Sequence, residues 1–232
     1  MKNVQLLKQI MSTIKQPLLI TGGCSLGDPK EPDYKNSIIV WPIVISKILN
    51  IKLLNVAKQG ASNDYIENII FDSILQNYKK YDIQVMVLWT GADRVNVFDM
   101  DTYPGDHQGY DQKKILNKTF RNIKRLDLIC RQFNIPCYHR IGIGFENSDK
   151  LNKWLTEHPM LKEFNLSLFE IISGRWSSAG EGAHAQWVLE NGHPNQDGQN
   201  AIAQMFIDTM NNIPLGTLDI QSKSIEDNFI YD

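Results

Sequence analysis

Apolar residues fall into two kinds of stretch along this chain. Short, nearly continuous apolar runs cover residues 17–21, 52–57, 83–89 and 135–139. Such runs predict strands buried on both faces of a parallel sheet, where no polar face breaks the pattern. Between them lie longer stretches whose apolar positions recur every three or four residues, over 38–49, from a cap at Ser62 or Asn63 through Leu75, over 113–133 and over 197–211. These predict amphipathic helices. Further helical stretches are read at about 2–16, 149–157 and 160–172, and polar loops at 27–37, 99–111 and 174–182. Strands alternating with helices predict a three-layer α/β/α domain with a flavodoxin-like parallel sheet. About five strands are expected, one of them too weak to see in the pattern. No linker, repeat or low-complexity tract divides residues 1–232, so one domain is expected, with a loose tail over about 216–232.

Composition narrows the function classes. The chain is 42% hydrophobic and 22% charged, in the ordinary range of globular proteins. A net charge of −2 gives no field that would draw it to nucleic acid or to an anionic membrane. No apolar run approaches the ~20 residues of a membrane span. The first residues lack the apolar core and cleavage site of a signal peptide. Cys24, Cys130 and Cys137 form an odd, sparse set, which suits a reducing compartment better than a disulfide framework. A cytoplasmic protein is expected. No metal-type spacing occurs, and neither a G-x-G-x-x-G run nor a P-loop supports a nucleotide-binding reading through Gly22-Gly23. No metal or organic cofactor is expected.

Ligands of open α/β sheets bind beyond the carboxyl ends of the strands. Those positions hold Gly22-Gly23-Cys24-Ser25-Leu26-Gly27 after the first strand, Gly60-Ala61-Ser62-Asn63 after the second, and Gly91-Ala92-Asp93-Arg94 after the third. Late in the chain, Glu190-Asn191-Gly192-His193-Pro194-Asn195 precedes the last helix. Acyl transfer needs such parts: a serine with a base in reach, a group that fixes the imidazole tautomer, and N–H donors for the oxyanion. Taken singly, each has a structural reading. Ser25 is a turn residue, His193 the end of a loop, Gly60 a glycine closing a strand, Asn63 a helix cap, and Asp93 with Arg94 an ion pair at the rim.

In combination they resemble the blocks of the SGNH (GDSL-like) hydrolase family. Gly23-Cys24-Ser25-Leu26 is similar to Gly-Asp-Ser-Leu with Cys in the Asp place, Gly60 falls in the second block, and Glu190-Asn191-Gly192-His193-Pro194 is similar to Asp-x-x-His-Pro with Glu for Asp. The resemblance spans residues 23–198. It implies a serine esterase with Ser25 as nucleophile, His193 as base and the Gly60 N–H at the oxyanion. Glu190 would orient His193, or a backbone carbonyl would do so with Glu190 at the surface. The third block departs: Asp93 stands in the slot of an oxyanion-donating Asn, and an ionised carboxylate cannot donate. A protonated Asp93, Asn63 or Arg94 is then the candidate donor. The implied substrate is a small acyl ester, for example acetyl on a carbohydrate. The alternative is a non-catalytic ligand- or carbohydrate-binding module on the same fold. Cys24 is expected to be a small buried residue, and His107, His139, His158 and His184 to be structural or at the surface. Trp176 and His184 would line a substrate pocket or simply pack.

Overall fold

The computed structural model describes residues 15–34, 37–91, 112–142, 189 and 193–211. They form four strands, β1 (Gln16–Gly22), β2 (Lys52–Asn55), β3 (Tyr81–Trp89) and β4 (Cys137–Ile141), and four helices, α1 (Trp41–Leu49), α2 (Asn63–Asn77), α3 (Gln112–Gln132) and α4 (Gln196–Met210). The sheet order is β2-β1-β3-β4 and every pairing is parallel. The expected α/β class and parallel sheet are therefore present, with four of the about five expected strands among the described residues. The expected helices over 149–157 and 160–172 lie outside the described residues. So does most of the one expected over 2–16, whose last residue, Gln16, already belongs to β1.

Strand side chains alternate between two apolar cores because successive Cβ atoms point to opposite faces. Leu18, Ile20, Val85, Val87 and Trp89 enter one core, with Ile66, Ile70 and Ile74 of α2 and Phe120, Ile123 and Leu126 of α3. Leu19, Met86 and Leu88 enter the other, with Trp41, Val44 and Ile45 of α1 and Ile202, Met205 and Phe206 of α4. This gives three layers and explains why β1 and β3 carry no polar face. Trp41 and Phe206 stack at 4.7 Å and lock α1 to α4.

The element ends have local causes. α1 begins at Trp41 rather than 38 because Ile39 is pinned outside it: its N–H donates to Gln196 Oε1 (2.8 Å) and its carbonyl accepts from Gln196 Nε2 (3.2 Å). α1 closes at Asn50 (φ 48°), with Ile51 N donating to Ser46 O. α3 closes in the same way at Asn134 (φ 54°), with Asn134 N donating to Arg131 O and Ile135 N to Cys130 O. Both are left-handed caps with the paired hydrogen bonds of a Schellman motif. Ile135 therefore finishes a helix, and β4 starts at Cys137, two residues later than the apolar run predicts. β2 stops at Asn55, whose side chain turns back to accept from Ala57 N (3.1 Å).

A buried polar contact joins the end of β3 to the middle of β4. Trp89 Nε1 donates to His139 Nδ1 (3.2 Å), which places the imidazole proton on Nε2, facing Cys137 Sγ at 3.3 Å. Burial, with Arg131 nearby, holds His139 down at about 4, and burial pushes the Cys137 thiol well up. Since the folded value of His139 lies below the ordinary 6.5, the unfolded chain binds a proton that the folded protein refuses between the two. Its contribution to stability is complete above about pH 6.5 and is lost as the pH falls toward 4, at about 1.4 kcal/mol per pH unit. Urea unfolding midpoints measured across that window are expected to show this slope in the wild type and a flatter one in His139→Phe.

Candidate active site

Ser25 is placed by a tight turn at the carboxyl end of β1. A Cβ on Gly22 would come within 2.4 Å of Ile70 Cδ1, and one on Gly23 within 3.2 Å of the Leu88 carbonyl oxygen. The two glycines thus let the chain run close against Ile70 of α2 and Leu88 of β3, and a side chain at either position would make these neighbours shift. Cys24 then turns fully into the α1/α4 core as a free thiol, and Ser25 opens a short 3₁₀ turn, Ser25–Gly27, closed by Gly27 N to Cys24 O and Asp28 N to Ser25 O. The burial of Cys24 fits its reading as a small core residue.

His193 comes from the far end of the chain. Asn195 caps α4 by accepting from Gly198 N (3.1 Å), and Leu189 N donates to the His193 carbonyl (2.7 Å), so His193 is tied on both sides at this edge. His193 Nε2 lies 3.1 Å from Ser25 Oγ across 168 residues of sequence. The ring of Tyr34 packs edge-on against the imidazole, with centroids 6.0 Å apart. Glu31 Oε2 stands 4.0 Å from the same Nε2. Gln199, one turn into α4 and fully buried, joins the parts: Nε2 donates to Leu26 O and to the Tyr34 hydroxyl, and Oε1 accepts from Trp41 N.

The β2–α2 loop forms the third side. Lys58 N donates to Gly23 O (3.1 Å), and Asn55 Nδ2 to Gly27 O (2.8 Å), so the loop lies against the Ser25 turn. Asp28 clamps it further, with one oxygen accepting from Gln59 N (2.8 Å) and the other from Lys30 N (2.9 Å). Gly60 follows at φ +72°, a left-handed conformation that favours glycine, and no atom lies within 4 Å of where its Cβ would stand. Among the described residues the N–H groups of Ser25 and Gly60 have no backbone acceptor.

No protein-family model matches this sequence, and no curated protein does. Solved structures do match. A lipolytic protein of the G-D-S-L family from Desulfitobacterium hafniense is 12% identical, with a TM-score of 0.51 over 81% of this chain and 95% of that one. The psychrotrophic esterase EstA from Pseudoalteromonas sp. is 14% identical, with a TM-score of 0.52 over 85% of this chain and 98% of that one. TesA is 11% identical, with a TM-score of 0.52 over 85% and 99%. The chain has the SGNH (GDSL-like) hydrolase fold.

Within the SGNH fold, Ser25 and His193 meet at the carboxyl edge of the sheet, and Gly60 follows the loop held against the Ser25 turn through Lys58 N and Gly23 O. Asn63 is also there, with its amide engaged: Nδ2 donates to Thr90 O and Thr119 Oγ1, each at 3.1 Å, and Oδ1 accepts from Thr90 N at 3.0 Å. The cap of α2 is Ser62, which accepts from Tyr65 N. Glu190, Asp93 and Arg94 lie outside the described residues, as do His107, His158, Trp176 and His184. Asp28, Glu31, Tyr34 and Gln199 are site neighbours that the sequence reading missed, three of them in the stretch read only as a polar loop. The signal available was two acidic residues within six of Ser25. Among the described residues there is no His/Cys/Asp/Glu group arranged for a metal and no helix long and apolar enough to cross a membrane.

Proposed function

We propose that the protein is a serine esterase, and the 3.1 Å approach of His193 Nε2 to Ser25 Oγ carries the proposal. A serine hydroxyl is a weak nucleophile until a base in hydrogen-bond reach takes its proton. Ser25 Oγ attacks the ester carbonyl as that proton passes to His193 Nε2. The N–H groups of Ser25 and Gly60 receive the oxyanion, with Asp93 or Arg94 as the further candidate donors. The tetrahedral intermediate collapses as His193 returns the proton to the leaving alcohol. Water then attacks the acyl-enzyme by the same route in reverse. Glu190, three residues before His193, is the proposed acceptor for the Nδ1 proton. The proposed substrate is a small acyl ester such as acetyl on a carbohydrate.

A second reading, a ligand- or carbohydrate-binding module, rests on Asp93 in the slot of the family's donating Asn. Loss of one oxyanion donor typically costs ~10²–10³ in rate. A fluorophosphonate probe followed by intact-mass analysis separates the two. One adduct is expected on the wild type, none on Ser25→Ala, and slow labelling on His193→Ala. No adduct on the folded wild type would turn the assignment to the binding module.

A further inference from the structure

The acid expected of a triad faces Nδ1 of the histidine, yet the described residues bring a different carboxylate to the other nitrogen. Glu31 Oε2 stands 4.0 Å from His193 Nε2, the atom that also faces Ser25 Oγ. The Glu31 side chain is 2% exposed and that of His193 23%. Glu31 is held in place, with Gln59 Nε2 donating to its Oε1 at 3.2 Å. Asp28 anchors the same Gln59 through its backbone N–H. The pair is thus part of the clamp between the Ser25 turn and the Gly60 loop.

We infer that Glu31 is a positioning residue that acts through His193, its buried carboxylate stabilising the imidazolium formed when Nε2 takes the Ser25 proton. This rests on the esterase reading for its use in catalysis, though not for its test. At 4.0 Å the contact is one of charge rather than a hydrogen bond. An opposite charge within ~4–6 Å favours the charged form of a titrating group, the more so away from water. On attack the proton leaves Ser25 Oγ for Nε2, and the imidazole becomes a cation beside the Glu31 carboxylate. When the proton leaves with the alcohol the imidazole is neutral again. Glu31 therefore meets an opposite charge only while the tetrahedral intermediate exists and in the transition states on either side of it. A group placed in this way accelerates the reaction without tightening ground-state binding.

Among the described residues, Ser25 and the ring of Tyr34 also face the imidazole, and Asp28 lies behind Glu31 across Gln59. Glu190 precedes His193 by three residues. All remain in Glu31→Gln, which also keeps an oxygen to accept from Gln59, so a difference between the two proteins isolates the charge.

The test is an NMR titration of the imidazole signals, five histidines in all, with that of His193 identified by its loss in His193→Asn. The midpoint of His193 is expected to fall by about one unit or more in Glu31→Gln and to stay near the wild-type value in Glu31→Asp, which keeps the charge. An unchanged midpoint in folded Glu31→Gln overturns the inference. An equal fall in both variants assigns the effect to packing and overturns it too. Turnover gives an independent reading: kcat on p-nitrophenyl acetate drops about tenfold, KM stays near the wild-type value, and the acid limb of the profile moves to lower pH. The titration needs no turnover. A shifted midpoint in a protein that neither hydrolyses esters nor takes a fluorophosphonate label sinks the esterase reading and leaves the charge pairing standing. Hydrolysis with an unmoved midpoint sinks the pairing alone.

Discussion

Ser25→Ala is expected to lower kcat/KM for p-nitrophenyl acetate by about 10³–10⁶, and His193→Ala by a similar factor. The double variant should be no slower than either single one. The reason is that the two side chains form one device: without the base the hydroxyl stays protonated, and without the hydroxyl the base has no proton to take. Oγ and Nε2 are 3.1 Å apart, within the reach that proton transfer requires. Effects of groups that act as a unit do not add, and this makes the double variant the sharper experiment. If the losses multiplied, the residues would work independently and the contact would not be the proton path. If His193→Ala kept most of the activity, a different base would serve Ser25. What should survive in every variant is the slower catalysis supplied by the oxyanion donors and by substrate binding. Folding confounds these variants little. Ser25 is a small side chain in a turn fixed by backbone hydrogen bonds, and the position of His193 is set by the Asn195 cap and the Leu189 contact.

Local pattern reaches different parts of this molecule unequally. β1 and β3 were legible because Leu18, Leu19 and Ile20, and Val85 through Trp89, serve two cores at once, and a strand buried on both faces has an uninterrupted apolar run. The start of β4 was not, because an apolar residue closing a left-handed helix cap reads the same as one opening a strand. Asn134 carries the distinguishing φ, and asparagine tolerates it without announcing it. Ser25 and His193 were legible through their neighbours: a Gly-Gly pair at 22 and 23 where the chain packs closely against α2 and β3, and a Pro-Asn pair leading into α4. Asn63 was expected at the oxyanion or as a cap. Of the two caps the pattern offers, Ser62 is the one that caps α2, and Asn63 ties α2 to the end of β3 and to α3. Glu31, Tyr34 and Gln199 carry no periodic or motif signal at all. Their partners lie far off in sequence, 165 residues in the case of Gln199 and Tyr34, so only the folded chain defines their roles.

Gln199→Leu is accordingly expected to destabilise the protein by about 3 kcal/mol or more, although it replaces a polar side chain by an apolar one of similar size in a buried site. Gln199 is fully buried and its amide is spent three ways, on the carbonyl of Leu26, the hydroxyl of Tyr34 and the N–H of Trp41. Leucine removes all three bonds and leaves groups of the Ser25 turn and of the α1 entry to find other partners where water has little access. Each such group costs about 1–3 kcal/mol. For a chain of this size a loss of that order lowers the melting temperature by roughly 6–12 °C. Gln196 offers the control. It bonds Ile39 through both its atoms but is half-buried, so water can replace what Gln196→Leu removes, and a cost within about 1 kcal/mol is expected. Thermal unfolding of the two variants side by side would show the difference. Equal, small shifts would mean that the turn bearing Ser25 is held by its glycines and the Asp28 clamp alone. A large shift for Gln199→Leu only would mean that α4, which delivers His193, also fixes the turn that presents Ser25, so that one buried amide keeps both halves of the reacting pair in register.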